Sequence, residues 1–368
     1  MAKIRSFFKR EPVFVISFLA AVISSFFVHP DAKYIDYLDF RTLALLYSLM
    51  IVVAGLRKAG VFTTLARTLC LRAKSTRAIG LILVGLCFFS SMFLTNDVAL
   101  LTFVPFSVVV LGMAGRRQDL IRIVVLQTVA ANLGSMLTPV GNPQSLYLYS
   151  FYNIPFLTFL SITFPVWLLS LIVLLAICLF TKRLPITPSF EEDTGMNRKA
   201  LWVYLILFGI CMLTVLRFLD WPIMLAVILI VLLISQRKTI LEADFMLLLT
   251  FVAFFIFAGN LARIDAVNHM LQSLLSGREY WVTLLTSQII SNVPAALLLS
   301  NFTGDMKSLL LAVNIGSLGT PIASLASLIS LKLYTQTEEA NVRKFLLEFT
   351  IVNVGLLAVL SVFQAFVI

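Results

Sequence analysis

Apolar residues run along this chain in long blocks, with almost no alternation of period two and little one-sided helical patterning. A helix crosses a bilayer with about 17–25 such residues. Blocks of that kind occupy 12–28, 41–56, 155–180, 201–216, 221–234, 245–259 and 345–368. Two more, 78–114 and 280–306, are interrupted by Thr95-Asn96-Asp97 and Ser291-Asn292-Val293-Pro294. Another two, 119–150 and 308–334, are broken by Gly and Pro. The stretches 57–77 and 260–279 are amphipathic and predict helices lying in the membrane interface. The one sizeable polar linker is 181–199, with Pro185, Pro188 and the cluster Glu191-Glu192-Asp193.

Composition sharpens this into an all-α membrane protein. Of 368 residues, 60% are hydrophobic and 12% charged, and 31 are Phe. No water-soluble fold hides that much apolar surface. Cys70, Cys87, Cys178 and Cys211 have neither disulfide-framework nor zinc-ligand spacing. Lys3, Arg5, Lys9 and Arg10 precede the first apolar block like a signal peptide, but no small-residue cleavage site follows, so an uncleaved first span is expected.

The net charge of +10 reports topology, not nucleic acid. With the N-terminus cytoplasmic and both interrupted blocks folded as re-entrant hairpins, 22 Lys and Arg fall on the cytoplasmic side. Only Lys33, Arg41, Arg217, Arg263, Arg278 and Lys307 fall outside. The reading is nine full spans and two re-entrant hairpins in a plasma (inner) membrane.

An internal repeat sets the architecture. The fifteen residues from Asn132 to Leu146 align without gaps to Asn314–Leu328, with seven identities. Upstream of each lies a hairpin with Asn at its break, Asn96 or Asn292, and further upstream an Ala-Gly pair, Ala54-Gly55 or Ala258-Gly259. The charge count gives the two halves opposite orientations.

A helix break at membrane depth survives only where it is buried or lines a cavity. Its free amides suit an anion and its free carbonyls a small cation. Candidate substrate ligands are Thr95, Asn96, Thr138, Asn142, Ser291, Asn292 and Thr320. Candidate cation-coupling groups are Asp97, Asn132, Gly134, Ser135, Asn314, Gly316 and Ser317. Asp97, the one carboxylate expected near the membrane middle, reads equally as a proton or Na+ ligand and as a cap on the second hairpin arm. Ser90 and Ser91 are expected to bond back to their own helix, and His29 and His269 to be structural.

At these residues the sequence resembles the ion transporter superfamily of divalent anion/sodium symporters, citrate-transporter-like proteins, arsenite permeases and Na+/H+ antiporter relatives. The resemblance covers about 40–368. In the dicarboxylate branch each hairpin tip reads Ser-Asn-Thr; here Asp97 and Pro294 make the tips look more like the arsenite-permease branch. The resemblance implies a homodimer working by an elevator motion. Its scaffold would be 1–77 and 200–279, and its mobile part 78–180 and 280–368. The expected function is secondary active transport of a small anion, a carboxylate or inorganic oxyanion, coupled to Na+ or H+. No other cofactor is expected. A monovalent cation/proton antiporter is the alternative. A membrane-embedded enzyme would need converging His, Glu, Asp or Cys at membrane depth, and Asp97 stands alone.

The topology is testable by cysteine labelling on a background lacking the native cysteines. Asp193→Cys and Ala340→Cys should react only from the cytoplasm, and Asp36→Cys and Asp305→Cys only from outside. Labelling of positions 193 and 305 from one side would sink the inverted repeat.

Overall fold

A computed structural model describes residues 11–180, 183–185, 195–338 and 340–367. The basic N-terminal residues and the Glu191-Glu192-Asp193 cluster lie outside the described residues. The helices are α1 (Pro12–Phe27), α2 (Phe40–Lys58), α3 (Val61–Leu71), α4 (Thr76–Leu94), α5 (Asn96–Met113), α6 (Leu120–Ser135), α7 (Pro143–Phe151) and α8 (Phe156–Leu179). After the linker come α9 (Arg198–Val215), α10 (Trp221–Ser235), α11 (Phe245–Ala262), α12 (Asp265–Leu275), α13 (Glu279–Ile290), α14 (Asn292–Leu299), α15 (Met306–Ile315), α16 (Leu325–Thr335) and α17 (Val342–Val367). Polar residues cap several starts: Asp39, Ser75, Asn197, Asp244 and Asp305 each accept a backbone amide three residues on.

Among the described residues, seven helices are long and apolar enough to cross a membrane: α2, α4, α5, α8, α9, α11 and α17. Of these, α4 and α5 are the packed arms of the first hairpin. The remaining five, the shorter α1 and α10, and the broken pairs α6–α7 and α15–α16 correspond to the nine expected crossings. The protein is an all-α membrane protein with inverted repeats. The amphipathic α3 and α12 sit between span and hairpin in each half.

The inversion is visible in how α2 and α11 are joined. Lys58, at the end of α2, pairs with Glu242, just before α11. Arg263, just after α11, pairs with Asp31 at 2.7 Å and donates to the Tyr37 hydroxyl at 2.9 Å, both before α2. The two helices therefore run antiparallel, clamped at both ends. The Arg263 guanidinium holds the Asp31 carboxyl below the usual carboxylate range. A depressed carboxylate adds stability above its unfolded pKa, so the clamp is whole at neutral pH and is lost only as pH falls through that lowered value.

Each Ala-Gly pair is a notch for a tyrosine ring. A Cβ on Gly55 would lie 2.0 Å from the Tyr204 ring of α9, and one on Gly259 would lie 2.5 Å from the Tyr37 ring. The repeat thus uses glycine twice for the same purpose: close approach of an aromatic face to a helix backbone. Tyr204 is further fixed by its hydroxyl, 2.9 Å from Thr239 Oγ1. The helix α1 packs along α11 and α9 along α2, so each notch lies where a peripheral helix or its loop meets the central pair.

Gly55→Ala and Gly259→Ala should each destabilise the fold by about 1–3 kcal/mol through overpacking, read as a lower thermal unfolding midpoint. Adding Tyr204→Ala to Gly55→Ala should cost less than Tyr204→Ala does alone. Strict additivity would mean that the ring does not fill the notch.

Candidate functional site

Both hairpins turn on a single residue with unusual backbone angles. Thr95 has φ 72° and ψ 148°, and Ser291 has φ 80° and ψ 156°. This region suits glycine, and a residue with a side chain pays about 1–3 kcal/mol to occupy it, a strain that clusters at functional sites. The residue after each turn is the repeated asparagine. Asn96 Oδ1 accepts the Asp97 amide at 3.0 Å, and Asn292 Oδ1 accepts the Val293 amide at 2.8 Å. One orphan donor of each second arm is thereby satisfied, and both amide groups are oriented.

Behind the tips the two broken spans are bonded to each other in a reciprocal way. Asn132, on α6, accepts from Ser324 Oγ at 3.0 Å and donates to Ser327 Oγ at 3.4 Å across the break between α15 and α16. Its repeat partner Asn314, on α15, accepts from Asn142 Nδ2 at 2.9 Å and exchanges hydrogen bonds with Ser145 Oγ at 3.1 and 3.3 Å across the break between α6 and α7. In the repeat alignment Asn142 and Ser145 correspond to Ser324 and Ser327, so each asparagine reads the same two positions of the opposite half. Ser135 Oγ and Ser317 Oγ bond back to the carbonyls of Asn132 and Asn314. Gly134 and Gly316 let the broken spans press on Ser91 and Ser287 of the first hairpin arms.

The symmetry fails at the tips. Asn96 Nδ2 donates to Asn132 Oδ1 at 3.1 Å. The matching Asn292 Nδ2 is buried without a partner. Asn292 and Ser291 are enclosed, and Ser291 Oγ donates to the Ala323 carbonyl at 3.3 Å. The first tip instead borders a cavity of about 170 Å³. Thr95, Asp97 and Asn142 form one wall of it, α2 from Leu46 to Arg57 another, and Glu242 and Asp244 its rim.

Asp97 occupies the first turn of α5 with Oδ1 buried and unpartnered. No side chain caps α5 at its Thr95 N-cap, and the oxygen on the first available amide comes from Asn96. The capping alternative for Asp97 therefore gives way to a carboxylate facing the cavity. Among the described residues no group of three or more His, Cys, Asp or Glu is placed to hold a metal.

Of the expected residues, Asn96, Asn132, Ser135, Asn142, Asn314 and Ser317 meet in the network, and Thr95, Asp97 and Asn142 line the cavity. Thr138 and Thr320 are spent elsewhere: their hydroxyls bond the carbonyls of Met92 and Gln288 in the first hairpin arms. Ser90 and Ser91 bond their own helix as expected. Sequence reasoning missed Ser145, Ser324 and Ser327, although Ser145 and Ser327 are identical in the repeat. It also missed Gln288, whose amide ties the second hairpin to the carbonyls of Gly316 and Leu318 and to the Thr320 amide.

A family model described as Citrate transporter matches residues 4–308. An uncharacterized transporter of Methanocaldococcus jannaschii is 32% identical over 80% of this chain and 81% of its own. The inner membrane protein YbiR of Escherichia coli is 30% identical over 87% of both chains. A silicon efflux transporter of Oryza sativa subsp. japonica is 31% identical over 40% of this chain and 30% of its own length.

The reciprocal network makes matched losses the expected outcome of Asn132→Ala and Asn314→Ala. Each leaves buried serine or asparagine groups unpaired, at about 1–3 kcal/mol per group, read as a similar drop in thermal midpoint. A loss in one variant and none in the other would contradict the reciprocity.

Proposed function

The chain belongs to the citrate transporter family, and from that premise we propose that it is a secondary active transporter of a small carboxylate or inorganic oxyanion, driven by Na+ or H+. The observation that carries this reading is the cavity beside the first hairpin tip, bounded by hairpin and broken span on one side and by α2 and the start of α11 on the other. An anion held near Asn142 would meet the amide end of α7, and the carbonyl ends of α4 and α6 offer oxygen to a cation. No metal or cofactor beyond Na+ is required. Similarity to a protein named for silicon efflux keeps inorganic oxy-compounds beside carboxylates among the substrates to try.

The division of labour follows the same walls. Residues 78–180 and 280–368 carry the breaks and would move, and 1–77 and 200–279 would stay as scaffold in a homodimer. On the Lys and Arg distribution, the end with Lys58 and Glu242 would face the cytoplasm, with the N-terminus. The cavity would then open inward, and the enclosed second tip would close the outer side. The membrane is the plasma (inner) membrane.

One observation favours the second reading, monovalent cation/proton antiport: Asp97, Glu242 and Asp244 outnumber the single guanidinium of Arg57 around the cavity. Uptake into proteoliposomes separates the two. A symporter accumulates a labelled anion in response to an inward Na+ or H+ gradient; an antiporter exchanges Na+ for H+ with no anion present.

Asp97→Asn keeps the shape and removes the titration. The variant should lose the Na+ or pH dependence of transport while still exchanging substrate between equal pools. An unchanged Na+ and pH profile would move coupling away from Asp97 to the backbone carbonyls of the breaks.

A further inference from the structure

A second polar cavity, of about 350 Å³, lies between the starts of α13 and α15 and the end of α17. Its inner wall holds Gln364, 1% exposed, with both Nε2 and Oε1 buried and without a hydrogen-bond partner. A buried amide left in that condition is unfavourable, so its position asks for an occupant that both donates and accepts. Beside it the Tyr280 hydroxyl donates to Ser361 Oγ at 3.0 Å, tying α13 to α17 and leaving the Gln364 amide unpartnered at the cavity wall. The mouth carries both charge signs: the Arg278 guanidinium and the carboxylates of Glu279 and Asp305.

The depth of this cavity identifies the kind of occupant. The helix α17 has 26 residues, about 39 Å at 1.5 Å per residue, against a hydrocarbon core of about 30 Å. It begins beside Arg343 and Lys344, so its last turns, with Gln364, reach the opposite headgroup layer. Trp281 stands at the cavity mouth, as interfacial tryptophans do, and starts an exposed apolar stripe through Leu285 and Ile289, the last 75% exposed. Val362 and Phe366 continue an exposed apolar surface on α17. A ligand here has a zwitterionic, hydrogen-bonding head and apolar chains.

We propose that this cavity is a binding site for the headgroup of an aminophospholipid, phosphatidylethanolamine. The phosphate takes Arg278 and the Gln364 amide donor. The primary ammonium, with three N–H donors, takes Gln364 Oε1 and the carboxylates of Asp305 and Glu279. A choline head has no N–H to give, and a glycerol head brings a net negative charge to two carboxylates. Lipid bound there joins the base of the second hairpin to α15 and α17.

The test uses the full chain, delipidated in detergent, with thermal unfolding followed after addition of mixed micelles of phosphatidylethanolamine, phosphatidylglycerol or phosphatidylcholine. Phosphatidylethanolamine should raise the midpoint most and remain bound in native mass spectrometry. Gln364→Leu should weaken its apparent affinity by roughly 10-fold or more, and Arg278→Ala, at the mouth, should do so even if the leucine variant folds poorly. Equal shifts with all three lipids, or an unchanged preference in both variants, would overturn the site. Full stabilisation by water-soluble phosphoethanolamine alone would assign the cavity to a soluble zwitterion and overturn the lipid.

Discussion

Lipid has no hydrogen bonds to offer, and this one deficit organises the protein. A helix that breaks inside a membrane must find partners for its polar groups within the chain. Here the two broken spans find them in each other: Asn132 reads Ser324 and Ser327, and Asn314 reads Asn142 and Ser145. Glycines at 134 and 316 let each broken span press against its own half's first hairpin arm, and the antiparallel α2 and α11, clamped at both ends, form the frame beside them. The tyrosine notches at Gly55 and Gly259 repeat the same economy in the frame itself.

Against this near two-fold framework the tips differ. Asn96 is docked on Asn132, whereas Asn292 holds an unpaired amide nitrogen, oriented by the bond its own oxygen makes. The first tip borders a cavity and the second is enclosed. The halves are thus equivalent in their breaks and inequivalent at their tips. In inverted-repeat transporters, binding sites lie near the bilayer midplane where the repeats meet, and the crossed contacts of the two breaks occupy that meeting point here.

Much of this was legible in the sequence because the bilayer leaves few options. Apolar block length gave the spans, and the aligned Asn132–Leu146 and Asn314–Leu328 segments gave the repeat and most of its network. Asp97 could not be decided: carboxylate cap and cavity-facing group have the same sequence, and only the Asn96 oxygen on the Asp97 amide separates them. Thr138 and Thr320 looked like ligands because they lie in the repeat, yet their hydroxyls are used by hairpin carbonyls that no local pattern reveals. Gln288 was hidden for the converse reason, since a polar residue inside an apolar arm becomes meaningful only when the chain 28 to 32 residues later folds back on it.

The cross-reading of the two breaks also has a consequence for biogenesis. The ribosome delivers α6 and α7 well before α15 and α16, so the first half enters the bilayer while Asn132 and Asn142 lack the partners they will finally have. Until the second half arrives, Asn132 has Asn96, and Asn142 has Ser135 and the Ser145 amide, but the bonds to Ser324, Ser327 and Asn314 are open and the first half cannot complete its polar core alone. Membrane insertion of this chain is therefore not finished span by span. The contacts across the breaks close only when α16 is in place, and the Tyr280–Ser361 bond only when α17 follows, which makes the late-emerging half the step that commits the whole molecule to its fold.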